Sequence, residues 1–236
     1  MINLPNNNNS FEYENNFYLT CDYTRMAKWA AHYEFFKMTE DLPGTIVECG
    51  LFKGVSFIRF AMFRRMFGNN HSKKMIGFDV FGKFPDSTFE LDRKYIDKFL
   101  SETGTGDGIS KQQLMDVLKY KGIDENLELV EGDICETIPK YIDKEPSLKI
   151  SLLNLDPDIY EPSVTTLEYL WPRIVKGGIL ILDDYGKFTG ETKAIDDYFK
   201  GKDVKIRKFS FCQYPSYIIK EDFYNQYENL ENWIKI

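Results

Sequence analysis

Two runs of carboxylates carry most of the chemistry in this sequence: Asn154-Leu155-Asp156-Pro157-Asp158-Ile159-Tyr160 and Leu182-Asp183-Asp184-Tyr185. Each closes an apolar stretch, Ile150–Asp156 and Gly178–Asp183, of the kind that forms a buried parallel strand. If those strands are neighbours, Asp156, Asp183 and Asp184 meet at one sheet edge. Three carboxylates in one place repel each other unless they are protonated or hold a cation. An all-oxygen anionic set suits a hard ion, Mg²⁺ first, then Mn²⁺ or Ca²⁺. An ion held there can lower the pKa of an acceptor hydroxyl and fix its direction, and a diol chelates better than a single alcohol. Asp158 and Asp184 also read as helix caps or solvated groups.

Three further strand ends suggest a ligand. Glu48-Cys49-Gly50-Leu51-Phe52-Lys53-Gly54 is a strand, a turn and a helix start. Gly50 permits a tight turn, and Gly54 lets the helix begin close to a ligand. The run is not G-x-G-x-x-G, since residue 52 is Phe and residue 55 is Val. A pyrophosphate needs close backbone N–H groups, whereas a ligand without phosphate tolerates bulk in the turn. Glu48 is placed to hold a cationic amino-acid moiety. Asp79, ending Gly77-Phe78-Asp79, can accept from both hydroxyls of a ribose. Glu131-Gly132-Asp133 offers Asp133 to an exocyclic amine, and the turn at Gly132 offers a backbone N–H to an adenine ring nitrogen. Amino acid, ribose and adenine without phosphate describe S-adenosylmethionine (SAM). Ligands of open α/β sheets bind at the carboxyl ends of the strands, which is where all five runs lie.

The elements that would position these residues alternate. Strand-like runs are Thr45–Gly50, Met75–Val80, Leu127–Glu131, Ile150–Asp156 and Gly178–Asp183, separated by helical runs Val55–Phe67, Ser110–Tyr120, Glu136–Ile142 and Ser163–Val175, the last capped by Ser163. A helix over Glu191–Lys200 and an antiparallel pair, Val204–Phe209 and Tyr217–Lys220, follow. The expected fold is α/β: a Rossmann-like class I methyltransferase fold, a seven-stranded mostly parallel sheet with an antiparallel C-terminal hairpin and an N-terminal helical extension. Residues 1–236 read as one methyltransferase domain, with 1–43 as extension and 81–109 as an irregular active-site lid. Residues 1–20 read as mobile, and about 23–40 as an amphipathic helix.

Composition narrows the partners. The net charge of −7 argues against a nucleic acid, and Arg64, Arg65, Lys73 and Lys74 read as a solvated patch. No apolar run spans a bilayer and the start lacks a signal peptide, so no membrane is expected. Cys21, Cys49, Cys135 and Cys212, without CxxC pairing, read as reduced thiols of a cytoplasmic protein. The helix at 23–40 and the Tyr224–Trp233 stretch could support a homodimer.

At these residues the sequence resembles a family. Glu48-x-Gly-x-x-x-Gly54, Gly77 to Asp86, Glu131-Gly-Asp-x-x-x-Thr-x-Pro139, Leu155 to Pro162, and Leu170-Trp-Pro-x-x-x-x-Gly-Gly178 running into Asp183-Asp184-Tyr185 follow the pattern of the macrocin O-methyltransferases, over roughly residues 44–200. The resemblance implies SAM as donor, Mg²⁺ in many members, and a sugar or nucleotide-sugar hydroxyl as acceptor. It puts Asp156, Asp183 and Asp184 on metal positions and Glu48, Gly50, Asp79 and Asp133 on cofactor positions. Some members carry a His base in the lid. Here the two histidines, His32 and His71, lie elsewhere and read as structural or surface groups, so the base is expected to be Asp156, with loss of the proton from a metal-bound alkoxide to water as the alternative.

Three other readings stand beside this one. A catechol-type metal-dependent O-methyltransferase needs the same carboxylates but an aromatic lid. This lid offers Asp86, Ser87, Thr88, Glu90, Asp92 and Arg93, which suits a sugar better. For a NAD-dependent nucleotide-sugar oxidoreductase the chain lacks the glycine fingerprint and a Tyr-x-x-x-Lys pair beside a plausible Ser. A non-catalytic nucleotide-binding module leaves the gathered Asp residues without a purpose.

Overall fold

The computed structural model describes residues 2–103 and 106–221, with nothing of the side chains at 102 and 103. Gly104 of the lid and the Tyr224–Trp233 stretch lie outside the described residues.

Seven strands form one sheet: β1 (Thr45–Cys49), β2 (Met75–Asp79), β3 (Leu127–Glu131), β4 (Ile150–Leu155), β5 (Ile174–Leu182), β6 (Arg207–Lys208) and β7 (Ser216–Ile219). Their spatial order is β3-β2-β1-β4-β5-β7-β6. β1 to β5 run parallel, and β7 runs antiparallel to both β5 and β6. β1, β2 and β4 are buried along their whole length, as strands covered by helices on both faces must be, and they carry the polar Glu48, Asp79, Ser151 and Asn154 into the interior. The order reverses between β1 and β4, which opens a crevice at their carboxyl ends.

The strand period of two divides the core. Ile46, Met75, Leu129, Leu152, Ile179 and Ile181 face one side, where they pack against α2 (Tyr23–Thr39), α3 (Val55–Phe67) and α5 (Lys111–Tyr120). Val47, Ile76, Phe78, Leu153, Leu180 and Leu182 face α6 (Ile134–Lys144), α7 (Tyr160–Leu170) and α8 (Thr189–Phe199). α5 begins with a full capping box between Ser110 and Gln113. α2 is capped by Asp22, whose carboxylate accepts from the Thr24 N–H at 2.9 Å. The aromatic side of α2 is largely spent inside the chain, for Trp29 and Tyr33 meet Phe63 edge-on with centroids 5.5 and 5.8 Å away.

Several expectations are corrected here. Residues 10–20 form a helix, α1 (Ser10–Thr20), although none of its residues is buried. The lid is not irregular: α4 (Glu90–Thr103) occupies half of it, and Leu91, Tyr95, Phe99 and Leu100 repeat at helical spacing. Ser163 does not cap α7, which starts three residues earlier; its hydroxyl donates to the Ile159 carbonyl from inside the helix. Asp92 of the lid supplies that end instead, accepting from the Tyr160 N–H at 2.8 Å. Helix ends leave N–H groups unpaired, and any acceptor brought there by the fold satisfies them. Arg64 and Lys73 are buried rather than solvated: the Arg64 guanidinium donates to the carbonyls of Lys73, Ile123, Glu125 and Asn126, tying α3 to the loops beneath the sheet. The four cysteines are free, as expected. Among the described residues no helix is long and apolar enough to cross a membrane.

Candidate active site

The site begins with a close approach that only glycine allows. Gly50 has φ +85°, and a Cβ there would lie 2.0 Å from the carbonyl oxygen of Asp156. The ends of β1 and β4 therefore touch, and the Asp156 N–H donates to the Cys49 carbonyl at 2.9 Å. Gly54 takes φ +73° to start α3 against Leu114. Neither residue needs a side chain; both shape the turn that puts Asp156 beside it.

Asp79 behaves differently from the expectation. Its carboxylate accepts from the backbone N–H groups of Leu51 at 2.6 Å, Phe52 at 3.1 Å and Phe81 at 2.6 Å. Burial pushes its pKa up against those three bonds, which pull it down. It is thus first a clamp on the turn, leaving about one lone-pair site for a ribose. The same bonds bear on the dinucleotide reading: the N–H groups a pyrophosphate would need already point at Asp79. Gly132, at φ +135°, donates its N–H to the Asp79 carbonyl at 2.9 Å, so that N–H is not free for adenine. Asp133 lines the cleft, but its carboxylate caps α6 by accepting from the Cys135 N–H at 2.8 Å. Glu48 lines no cleft. It is fully buried behind the turn and accepts from the Ser56 hydroxyl at 2.5 Å. Burial pushes its carboxyl up to about 8.

The carboxylates do converge, with one exchange. Asp156, Asp158 and Asp184 each present an oxygen within 4.8 Å of the others. Asp183 is turned aside: its Oδ2 accepts from Lys28 Nζ at 2.5 Å, and its Oδ1 lies 4.0 Å from His32 Nε2. Strand alternation sends consecutive residues to opposite faces, so Asp183 looks toward α2 and Asp184 toward the cleft. Asp158, at φ +64°, takes the place expected of Asp183. Burial, then the charge of Asp183, raises the Asp156 carboxyl well above the ordinary range; burial, then Asp184, does the same to Asp158. Such a group answers to a hard divalent ion, which would relieve that repulsion. Asp156, Asp158 and Asp184 would hold it.

Sequence reasoning missed three members of this neighbourhood. Lys28 keeps its proton: burial opposes the charge, but Asp183, Asp156 and Asp184 outweigh it. His32 is fully buried, stacks on Phe60 at 5.0 Å, and is pushed down to about 3 by burial and by Arg59. Glu191, at the start of α8, is also fully buried and accepts from the Asp184 N–H at 3.0 Å. Lys28 and His32 are one helical turn apart on α2, the only signal available in the sequence.

Two cavities meet at Asp156. One, of about 310 Å³, runs along the strand ends past Gly50, Asp79, Phe84, Asp133 and Asp158. The other, of about 650 Å³, lies between α1, α2 and the β1–α3 turn, with Phe17, Arg25, Lys28, Lys53 and Arg59 on its walls. Asp156 and Phe52 line both. The lid walls the first cavity and is pinned to α7. The Glu161 carboxylate accepts from Ser87 Oγ at 2.9 Å, the Thr88 N–H at 2.9 Å, the Phe89 N–H at 3.0 Å and the Thr88 hydroxyl. Ser87 also donates to Asp92 at 2.8 Å. Ser87, Thr88 and Asp92, expected to face an acceptor, are thus engaged by the latch, although Thr88 also lines the cleft, as does Asp86.

Strand order, the crevice at the reversal and the clamp on the first turn define a class I methyltransferase fold. The chain belongs to the macrocin-O-methyltransferase (TylF) family, whose profile matches residues 21–209. A curated relative from Streptomyces olivaceus, 8-demethyl-8-(2,3-dimethoxy-alpha-L-rhamnosyl)-tetracenomycin-C 4'-O-methyltransferase, is 26% identical over 63% of this chain and 55% of its own length. Demethyldecarbamoylnovobiocin O-methyltransferase from Streptomyces niveus is 26% identical over 67% of this chain and 59% of its own. The chain therefore spans between half and two thirds of the curated relatives it matches. The crystal structure of the calicheamicin methyltransferase CalS11 superposes with a TM-score of 0.69 at 25% identity, covering 90% of this chain and 86% of that one. CalS11 is also described as a TDP-rhamnose 3'-O-methyltransferase.

Proposed function

We propose that this protein is a SAM-dependent O-methyltransferase that methylates a hydroxyl of a sugar or nucleotide-linked sugar, with Mg²⁺ at Asp156, Asp158 and Asp184. The observation that carries the proposal is that Asp156 stands where two cavities join, one along the strand ends and one beneath α2. Donor and acceptor can then occupy separate rooms and meet at one carboxylate. The whole chain, 1–236, reads as one such domain working in the cytoplasm, where its free cysteines stay thiols. The sugar preference draws support from the named activities of the relatives.

Bound SAM supplies a methyl group on a sulfonium. In the transfer the acceptor oxygen–carbon bond forms as the carbon–sulfur bond breaks, and the hydroxyl proton leaves to a carboxylate. Asp156 is placed to take that proton, with Asp158 beside it. A divalent ion in the trio would favour the alkoxide and orient it. Gly50 and Asp79 fix the turn, Asp79 and Asp133 border the nucleoside cleft, and Lys28 balances Asp183 behind the reacting groups. The lid, held by Glu161, keeps water from the donor cleft.

The test is titration calorimetry with S-adenosylhomocysteine, with and without Mg²⁺, followed by turnover of sugar acceptors. Binding is expected in both conditions. Asp156→Asn and Asp184→Asn should each lower turnover by about 10²-fold or more while keeping homocysteine-product binding within a few-fold. Absence of S-adenosylhomocysteine binding under either condition overturns the reading.

A further inference from the structure

The larger cavity is charged against the grain of the protein. The chain carries 30 Lys and Arg against 37 Asp and Glu, a net charge of −7. Yet the walls of this one space hold Arg25, Lys28, Lys53 and Arg59, opposed by Asp22 at the rim and Asp156 at the floor. Lys28 is accounted for by Asp183. Asp22 is the cap of α2. Arg25 and Lys53 form no ion pair among the described residues, and the Lys53 ammonium rests over the ring of Phe52, 5.0 Å from its centroid.

Arg59 is the informative member. Its guanidinium is largely withdrawn from water, and burial lowers its pKa. Its one polar side-chain contact is the ring of His32, with Nη1 3.2 Å from Nδ1. That ring is neutral, so it accepts a hydrogen bond without cancelling charge. Glu48 and Asp183 act on it electrostatically, but no carboxylate among the described residues forms an ion pair with this half-buried guanidinium, an arrangement that leaves it open to an anion from outside. Arg25 and Lys53, one on α2 and one in the β1–α3 turn, stand at the mouth through which that anion would enter. The start of α3, at Val55 and Ser56, faces the same space and has no side-chain cap. Trp29 and Phe17 add aromatic faces.

We infer that this cavity binds a phosphoryl or diphosphoryl group of the acceptor, held by Arg25, Lys53 and Arg59, with the sugar hydroxyl directed at Asp156. The inference rests on the methyltransferase reading and narrows it: the acceptor is a phosphorylated or nucleotide-linked sugar rather than a glycoside such as the rhamnosyl-tetracenomycin in one curated relative's name. The amino-acid carboxylate of SAM needs a cation as well. With Lys28 committed to Asp183, Arg59, the least exposed of the three remaining cations, can serve that carboxylate and the phosphate together, while Arg25 and Lys53 are left to the phosphate. The cavity's volume, about twice that of the donor cleft, leaves room for more than a sugar ring.

The probes are inorganic pyrophosphate and thymidine diphosphate, titrated into the full chain saturated with S-adenosylhomocysteine. Both should bind, and the affinity should fall as salt rises. Arg25→Ala and Lys53→Ala alter exposed side chains and should leave the melting temperature in place. Each should weaken both probes about 10-fold, while S-adenosylhomocysteine affinity changes less than two-fold. In turnover, kcat/KM for a nucleoside-diphosphate sugar should fall by the same factor, and that for the methyl glycoside of the same sugar should not. The inference is overturned if neither probe binds the loaded protein, if the variants bind them as wild type does, or if S-adenosylhomocysteine affinity falls in parallel. That last result would assign the cations to SAM. Failure of S-adenosylhomocysteine to bind wild type would instead remove the underlying reading.

Discussion

Replacing Gly50 by alanine tests whether strand contact sets the reacting geometry. The new Cβ would sit 2.0 Å from the Asp156 carbonyl oxygen, 2.5 Å from its carbon and 2.9 Å from the Cα of Pro157. Ordinary contact needs about 3.4 Å, so roughly 1.4 Å must be found, and all three obstacles are backbone. The φ of +85° adds a left-handed penalty of about 1–2 kcal/mol for any residue with a Cβ. With overpacking of about 1–3 kcal/mol, the loss of stability is about 2–5 kcal/mol, or about 5–15 °C in Tm for a chain of this size. The catalytic effect is the sharper readout. The end of β4 must retreat by about 1 Å and take Asp156 with it, and such a misplacement costs about 10²-fold in rate. Gly201→Ala is the control, since it has φ +74° but nothing within 4 Å of the added Cβ. It should lose about 1 kcal/mol and no turnover. The assay is product release at saturating donor, run beside thermal unfolding of both variants. Wild-type turnover and an unchanged Tm in Gly50→Ala would refute the claim that these strand ends are in contact.

Two other perturbations follow from the same site. Glu48 has an ordinary pKa of 4.5 and is pushed to about 8 by burial. Between those values the folded protein holds a proton the unfolded chain has released, so this group makes stability fall as pH rises, by up to about 1.4 kcal/mol per pH unit, and the loss levels off above pH 8. Glu48→Gln should flatten Tm against pH between 5 and 8 and exceed wild type at pH 8; an identical slope in both proteins would show that Glu48 is not proton-bound in the fold. Glu161→Gln leaves one oxygen for donors that now share two, which costs about 2 kcal/mol at the latch. Amide exchange at Thr88 and Phe89 should quicken and S-adenosylhomocysteine should bind several-fold more weakly, whereas unchanged exchange would mean the lid is held by other contacts.

The sheet was legible because its strands are short, apolar on both faces and punctuated by acidic or glycine-bearing ends. Thr45, Met75, Leu127 and Ile150 each open a strand where the hydrophobic run begins. α4 was obscured by its charge: Glu90, Asp92, Arg93, Lys94, Asp97 and Lys98 outnumber the apolar residues that give it a face. At the site, residue types and strand ends foretold the tight turn at Gly50 and the convergence of Asp156 with Asp184. They did not resolve how each carboxylate is spent. Asp79, Asp133 and Asp183 satisfy, in turn, a tight turn, a helix cap and a lysine from another element. Asp133 is spent on the N–H of Cys135, two residues on, but Leu51 and Phe52 reach Asp79, and Lys28 reaches Asp183, only through the tertiary fold, and the sequence near those two aspartates carries no trace of them. The swap of Asp183 for Asp158 has that origin, because Lys28 lies 155 residues away.

Lys28 and His32 also settle where this protein can be cut and rejoined. The sheet begins at Thr45, so a chimaera with its seam there would look tidy on a topology diagram. It would take from Asp183 the ammonium paired with it and strip α2 from one face of β4 and β5. The family's profile starts at residue 21, the position before the cap of α2. A graft made ahead of Cys21 carries both side chains across and gives up α1, one wall of the larger cavity, together with Ile2, which packs on the core.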